Sequence, residues 1–353
     1  MNIFPVLGIT CLLAGVSQTT MAQADSSLTI SGYAEAYYSY DFNRPANHLS
    51  DGFLYNFNRH NEVNLNLGLI KAAYQTERVR GNIALMAGTY AQYNLATEPE
   101  LLRHVWEANA GVRLAKDLWL DAGIMPSHIG FESAIGKDNW TLSRSLLAEN
   151  SPYYEAGAKL SYATGNWQFA VLYLNGWQRI QRVPGNQTPA FSWQVQWKSG
   201  DRITLNSSSF IGNDKPDSTR QMRYFHNLYA IVKLSERWDL TAAFDIGIQQ
   251  QAKGSSQYDA WYSPIAILRY RRTDRLSLTG RVEYYQDKKG VIISAPAPFA
   301  VWGYSLNADY RFTDHVLARI EGRVLRSPNA VFQKDGRYSS SDTSLKTSLC
   351  FSF

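Results

Sequence analysis

Apolar and polar residues alternate one by one over most of this chain. At its far end Leu345, Thr347, Leu349, Phe351 and Phe353 fall on one parity, and Lys346, Ser348, Cys350 and Ser352 on the other. In an extended strand, successive side chains point to opposite faces, so this stretch reads as an apolar stripe backed by a small or charged one. The rhythm recurs throughout. Leu28, Ile30, Gly32, Ala34, Ala36, Tyr38 and Tyr40 oppose Thr29, Ser31, Tyr33, Glu35 and Tyr37. Val63, Leu65, Leu67 and Leu69 oppose Glu62, Asn64 and Asn66, and Ile83 with Leu85 opposes Asn82. Sharper cases are Phe191, Trp193, Val195 and Trp197, then Trp238, Leu240, Ala242, Phe244, Ile246 and Ile248, then Val316, Ala318, Ile320 and Val324 against Arg319, Glu321 and Arg323. A soluble sandwich that buries one face of each sheet shows the same pattern, as does a barrel wall between lipid and water.

Connection lengths separate the two. Short turns fall near residues 76–78, 116–117, 164–166, 199–201, 235–237, 272–274 and 313–314. Long polar stretches fall at about 42–60, 91–102, 126–152, 176–189, 212–222, 251–258, 287–298 and 326–341. Seven short and eight long connections in alternation imply about sixteen strands, with both ends of the barrel chain on the short-turn side. The expected fold is all-β: a transmembrane antiparallel up-and-down β-barrel with short periplasmic turns and long outer loops. At that strand number side chains no longer fill the interior, which leaves an aqueous channel.

Composition agrees. Aromatics make up 13% of the chain, with 22 Tyr and 10 Trp. No segment after the first residues approaches the roughly 20 apolar residues of a spanning helix. Residues Asn2 to Val16 are uncharged and mostly apolar, and Ala22-Gln23-Ala24 resembles a cleavage site, so residues 1–24 are read as a cleaved signal peptide and 25–353 as one barrel. Cys350 is then the only cysteine of the mature chain, so no internal disulfide is expected. The net charge of +5 comes from scattered basic residues, a poor footprint for nucleic acid.

A strand ending on an aromatic, with Leu345, Leu349, Phe351 and Phe353 on one face, also resembles the carboxy-terminal signal that directs outer-membrane barrels to their assembly machinery. A family resemblance lies further in. Arg80-Gly81-Asn82, Met86-Ala87-Gly88-Thr89-Tyr90, Asp121-Ala122-Gly123-Ile124, Ile129-Gly130-Phe131-Glu132-Ser133, Glu149-Asn150-Ser151-Pro152-Tyr153-Tyr154 and Asn175-Gly176-Trp177-Gln178 together resemble the OmpL-like β-barrel porin family of Bacteroidetes-type bacteria. The resemblance implies a porin in the outer membrane of a didermic bacterium. It names no solute and supplies no catalytic residue.

Residues 126–152 form the longest connection and the third on the long-loop side. By analogy with sixteen-stranded porins it is the candidate constriction loop, carrying Glu132, Lys137, Asp138, Arg144 and Glu149, with Phe131, Trp140 and Leu146 to pin it to the wall. Opposed charges across a narrow pore would set up a transverse field; an ordinary solvated surface loop is the other reading. Lumen parity also gathers Arg269, Arg271, Arg281, Arg319 and Arg323, interleaved with Glu283, Asp309 and Glu321. This ladder is either an anion-favouring face or a cross-strand network that neutralises itself. Outward Tyr and Trp near strand ends, such as Tyr162, Trp167, Trp197, Trp238, Tyr270 and Tyr310, suit aromatic girdles, while Tyr33, Tyr37, Trp119 and Tyr285 point inward.

Enzyme chemistry finds little support. His48, His60, His104, His128 and His315 lie in or beside connections and His226 near a strand end, and no Gly-x-Ser-x-Gly or His-Glu-x-x-His occurs. No metal or cofactor is expected. The expectation is a non-enzymatic channel for passive diffusion of small hydrophilic solutes. Its partners would be outer-membrane lipids, the barrel-assembly machinery and those solutes, with no nucleic acid and with a homo-oligomer left open. A plugged barrel acting as a binding or scaffold protein, or a barrel enzyme acting on lipids, are the alternatives.

Overall fold

The computed structural model describes residues 27–353, so the expected signal peptide at 1–24 lies outside the described residues. Among the described residues sixteen strands close into one barrel, each hydrogen-bonded to its sequence neighbour. The ring shuts where the first strand (Ser27–Asp41) meets the last (Ser341–Ser352), antiparallel, with Tyr33 opposite Ser352 and Asp41 opposite Ser344. Gly32 and Phe353 complete that seam by exchanging backbone bonds of 3.1 Å in both directions, and the Phe353 ring lies over Gly32, where a Cβ would have to displace it.

The outward parity forms an apolar belt. Leu28, Ile30, Ile70, Ile83, Val171, Trp193, Leu306, Leu345, Leu349, Phe351 and Phe353 are all exposed, as a lipid-facing wall requires. Aromatic pairs such as Trp238 with Tyr270 and Tyr284 with Trp302 mark the girdles. Inward positions are polar and largely covered, including Glu35, Asn206, Asn227, Thr241 and Ser263.

Two features depart from the sequence pattern. In the strand Val63–Gln75, Val63 and Leu65 face lipid as expected, but Leu67 and Leu69 are buried inside. Their neighbour supplies the reason: Glu35 pairs with Leu67 and Ala36 with Leu65, so Asn66 is bulged out of register and reverses the parity beyond it. The last long connection also carries a small hairpin of its own, Phe332–Lys334 with Arg337–Ser339, separate from the barrel sheet.

Cys350 has the inward parity expected of it, yet it is 1% exposed, with its Sγ 3.2 Å from Glu35 Oε1 and 3.5 Å from the Tyr33 hydroxyl. Parity alone would make it accessible from a wet lumen; the packing does not. A water-soluble maleimide should therefore leave Cys350 unmodified in the folded barrel and label it after denaturation. Rapid labelling of the folded protein, read by mass spectrometry, would contradict this packing.

Candidate functional site

The third long connection, residues 127–153, folds into the barrel. Its entry is fixed by His128, whose ring meets Glu155 at 3.0 Å and whose carbonyl accepts bonds from Gln194 Nε2 at 2.9 Å and Ser208 Oγ at 3.1 Å. Phe131 then packs against Tyr229 with centroids 5.8 Å apart, and the Arg269 guanidinium sits 4.4 Å from the Trp140 ring centroid. A single helical turn, Leu146–Glu149, is capped by Ser145, whose Oγ accepts from the Ala148 amide at 3.1 Å. Leu146 is fully buried.

The arginine ladder is where this loop is held. Arg281 donates to the Ser143 carbonyl at 2.7 Å, to Thr141 Oγ1 at 3.1 Å and to Glu321 at 2.9 Å. Arg319 donates to the carbonyls of Gly136 and Asn139 at 2.5 and 2.9 Å while paired with Asp309 at 2.8 Å. In return Glu321 accepts the Ser143 amide at 2.5 Å and Glu283 the Leu146 amide at 2.6 Å, with Arg323 closing on Glu283 at 2.6 Å. The side chains of Arg281, Glu283 and Glu321 show no exposure at all. Both sequence readings of the ladder thus meet in a third arrangement: the charges neutralise one another, and their remaining donors and acceptors grip the backbone of the loop. Arg269 and Arg271 stand apart, sharing Asp239 at 2.9 and 2.8 Å in a wetter setting.

The five charges of the loop do not act alike. Arg144 is fully buried, its Nε donating to the Ser133 carbonyl at 2.8 Å and its guanidinium 5.2 Å from the Tyr153 ring centroid. Glu149 is buried and accepts from the Tyr55 amide at 3.0 Å and Asn56 Nδ2 at 2.9 Å, tying this loop to the first long connection. Glu132 accepts from the Ser145 amide at 3.1 Å and from its hydroxyl. Burial pushes both carboxyls above the usual range. Lys137 and Asp138 are the loop charges left exposed.

Among the long connections lies an outer vestibule of about 500 Å³ lined by Glu149, Asn150, Ser151, Trp177, Arg179 and Arg223 among others. The sequence reading passed over it, because its residues come from separate loops without a motif. The Asn175-Gly176-Trp177-Gln178 stretch was the available signal.

His226 faces outward, not toward a connection, with Ser209 Oγ 2.6 Å from Nδ1 and Ser207 Oγ 3.4 Å from Nε2. No carboxylate pairs with this ring among the described residues. Groups of three or more metal-ligating side chains are also absent among the described residues.

A closed sixteen-stranded barrel with an apolar belt, a polar interior and its third loop folded inward defines an outer-membrane protein of the porin class. The chain belongs to the family described as "Putative beta-barrel porin-2, OmpL-like", whose model matches residues 27–353. Among solved structures it is similar to an anion-selective porin from Comamonas acidovorans, at 8% identity and a TM-score of 0.63, over 93% of this chain and 100% of that one. It is also similar to OmpT of Vibrio cholerae in a trimer form, at 7% identity and a TM-score of 0.64, over 93% and 99% of the chains. Salmonella typhi OmpF in complex with daunomycin matches at 10% identity and a TM-score of 0.58, over 92% and 97%. At these identities the likeness is one of fold. The search of curated proteins finds no match.

Two predictions follow from the packing of the loops. Changing Arg281 to Ala would leave Glu321 buried without its ion-pair partner and Glu283 with Arg323 alone, at a cost of about 3 kcal/mol. The unfolding midpoint in detergent should fall accordingly, and adding Glu321→Gln to that variant should recover part of the loss; an additive double variant would refute the coupling. The second concerns Asp51 in the first long connection, which accepts the Gln333 amide at 2.9 Å and whose carboxyl burial pushes up from 3.8 to about 7. The folded state then holds this proton more tightly than the unfolded one, so the penalty grows as pH rises from about 4 through 7. Protection of the Gln333 amide should be greater at pH 5 than at pH 8, and Asp51→Asn should abolish the difference.

Proposed function

We propose that this porin passes small hydrophilic solutes by passive diffusion, without catalysis, through a lumen narrowed by the 127–153 loop. The observation that carries the reading is that loop itself, suspended across the interior by hydrogen bonds to Gln194 and Ser208 on one side of the wall and to Asn307 and Glu321 on the other. Lys137 and Asp138 are its charges in contact with water, whereas Glu132, Arg144 and Glu149 set its shape. Residues 1–24 serve as the export leader, and the outward stripe of Leu345, Leu349, Phe351 and Phe353 is the feature presented to the assembly machinery. The covered Ser209 and the outward His226 lack the orienting third group and the free backbone donors that acyl transfer uses, which favours a non-enzymatic reading. A second reading, a barrel kept shut by its loops, draws on the zero exposure of Arg281, Glu283 and Glu321, which excludes water from that side of the lumen.

Planar-bilayer recordings separate the two. Refolded protein should give stable current steps, and replacing residues 134–144 by a short Gly-Ser linker should enlarge them. A silent native barrel beside a conducting shortened one would establish the shut barrel. Silence of both, with insertion verified, would overturn the channel.

A further inference from the structure

The outer vestibule holds three carboxylates, and all three are engaged from within. Glu149 is taken by the Tyr55 amide and Asn56, as described. Asp214 accepts the Trp177 amide at 2.9 Å and pairs with Arg223 at 3.1 Å, and Asp259 accepts from Gln251 Nε2 at 2.9 Å. Arg223 is itself used up, its Nε and Nη2 directed at Gln249 Oε1 at 3.0 and 2.7 Å and its guanidinium 5.2 Å from the Trp177 ring centroid. Three further cations line the same cavity: Arg179, Lys215 and Lys289. None of them has an acidic partner within 4.0 Å among the described residues. Arg179 packs against Gly176, at the corner where Asp214 already serves Arg223, so it gains no counter-charge from that carboxylate.

The asymmetry carries a chemical meaning. Several basic groups of the wall stand in ion pairs, Lys71 with Glu107, Arg80 with Asp121, Arg269 and Arg271 with Asp239, whereas these three gather around one cavity. The lining carries four cations against three carboxylates, a formal excess of one positive charge, and a concave, low-dielectric wall strengthens that potential. A guanidinium and two ammonium groups match the oxygens of a carboxylate or phosphate, and basic rings favour anions in pores.

We infer that the outer vestibule is a capture site for small organic or inorganic oxyanions, carboxylates or phosphates, held by Arg179, Lys215 and Lys289 before they pass the loop. The inference rests on the channel reading for its purpose but not for its binding. Its test therefore uses two measurements on the full chain folded in detergent or bilayers.

Calorimetric titration with succinate and, separately, inorganic phosphate should show saturable binding, with maltose as the uncharged comparison. The triple variant R179Q/K215Q/K289Q, its fold checked by heat-modifiable mobility, should bind the anions about tenfold more weakly. The better of the two ligands identifies the source of the oxyanion. Equal binding by native and variant protein, or none by either, overturns the site whether or not the barrel conducts. In bilayers with a salt gradient, the native pore should prefer chloride to potassium and the variant should lose that preference. A conducting pore whose preference is unmoved by the substitutions overturns the inference and leaves the channel standing. A barrel that binds succinate or phosphate but never conducts upholds the site and removes the channel.

Discussion

Lipid offers no partner for a peptide group, and this fixes everything else in the molecule. Each N–H and C=O in the spanning region must find its partner on a neighbouring strand, so a sheet in the membrane has to close on itself. Sixteen strands do so here, and closure at that size creates an interior that must be furnished. The wall faces lipid mainly with apolar side chains and assigns most polar side chains to the inside. What occupies the inside is then a matter of pairing charges and backbone groups away from bulk water.

The third loop and the ladder meet that demand together. A buried carboxylate is costly unless its oxygens are met by donors, and Glu283 and Glu321 each receive one arginine bond and one amide of the loop. Arg281 and Arg319 likewise divide their donors between carboxylates and loop carbonyls. Neither the ladder nor the loop is satisfied alone. The position of the loop inside the barrel follows from this mutual dependence, as does the loss of the ladder's own field at the pore.

Much of this was legible in the chain. Side-chain parity and the alternation of turn lengths carry the strand count, the closing pair and the orientation of most residues, because a two-faced wall imposes both. The bulge at Asn66 was not legible, since Leu67 and Leu69 keep the alternation while the register beneath them slips. The longest loop with its aromatic pins was visible, yet its charges were read as facing water. The covering of Glu132, Arg144 and Glu149 depends on Ser145, Asn56 and the wall, groups distant in sequence or neutral in character. The vestibule was hidden for a related reason: whether a lysine is compensated depends on contacts between loops that no local pattern records.

The seam between the strands Ser27–Asp41 and Ser341–Ser352 joins residues as far apart as Glu35 and Cys350, separated by 315 positions. Every other pairing in the ring links sequence neighbours and can form hairpin by hairpin. Contact order is therefore very uneven around the circle, low along the row of hairpins and near its maximum at one junction. Loop-closure entropy makes such a contact slow to form, so the seam is the step on which assembly kinetics should depend. Sequence changes there would alter the rate of barrel formation more than the shape of the finished barrel, and until that junction forms the sheet has two open edges exposed to mispairing.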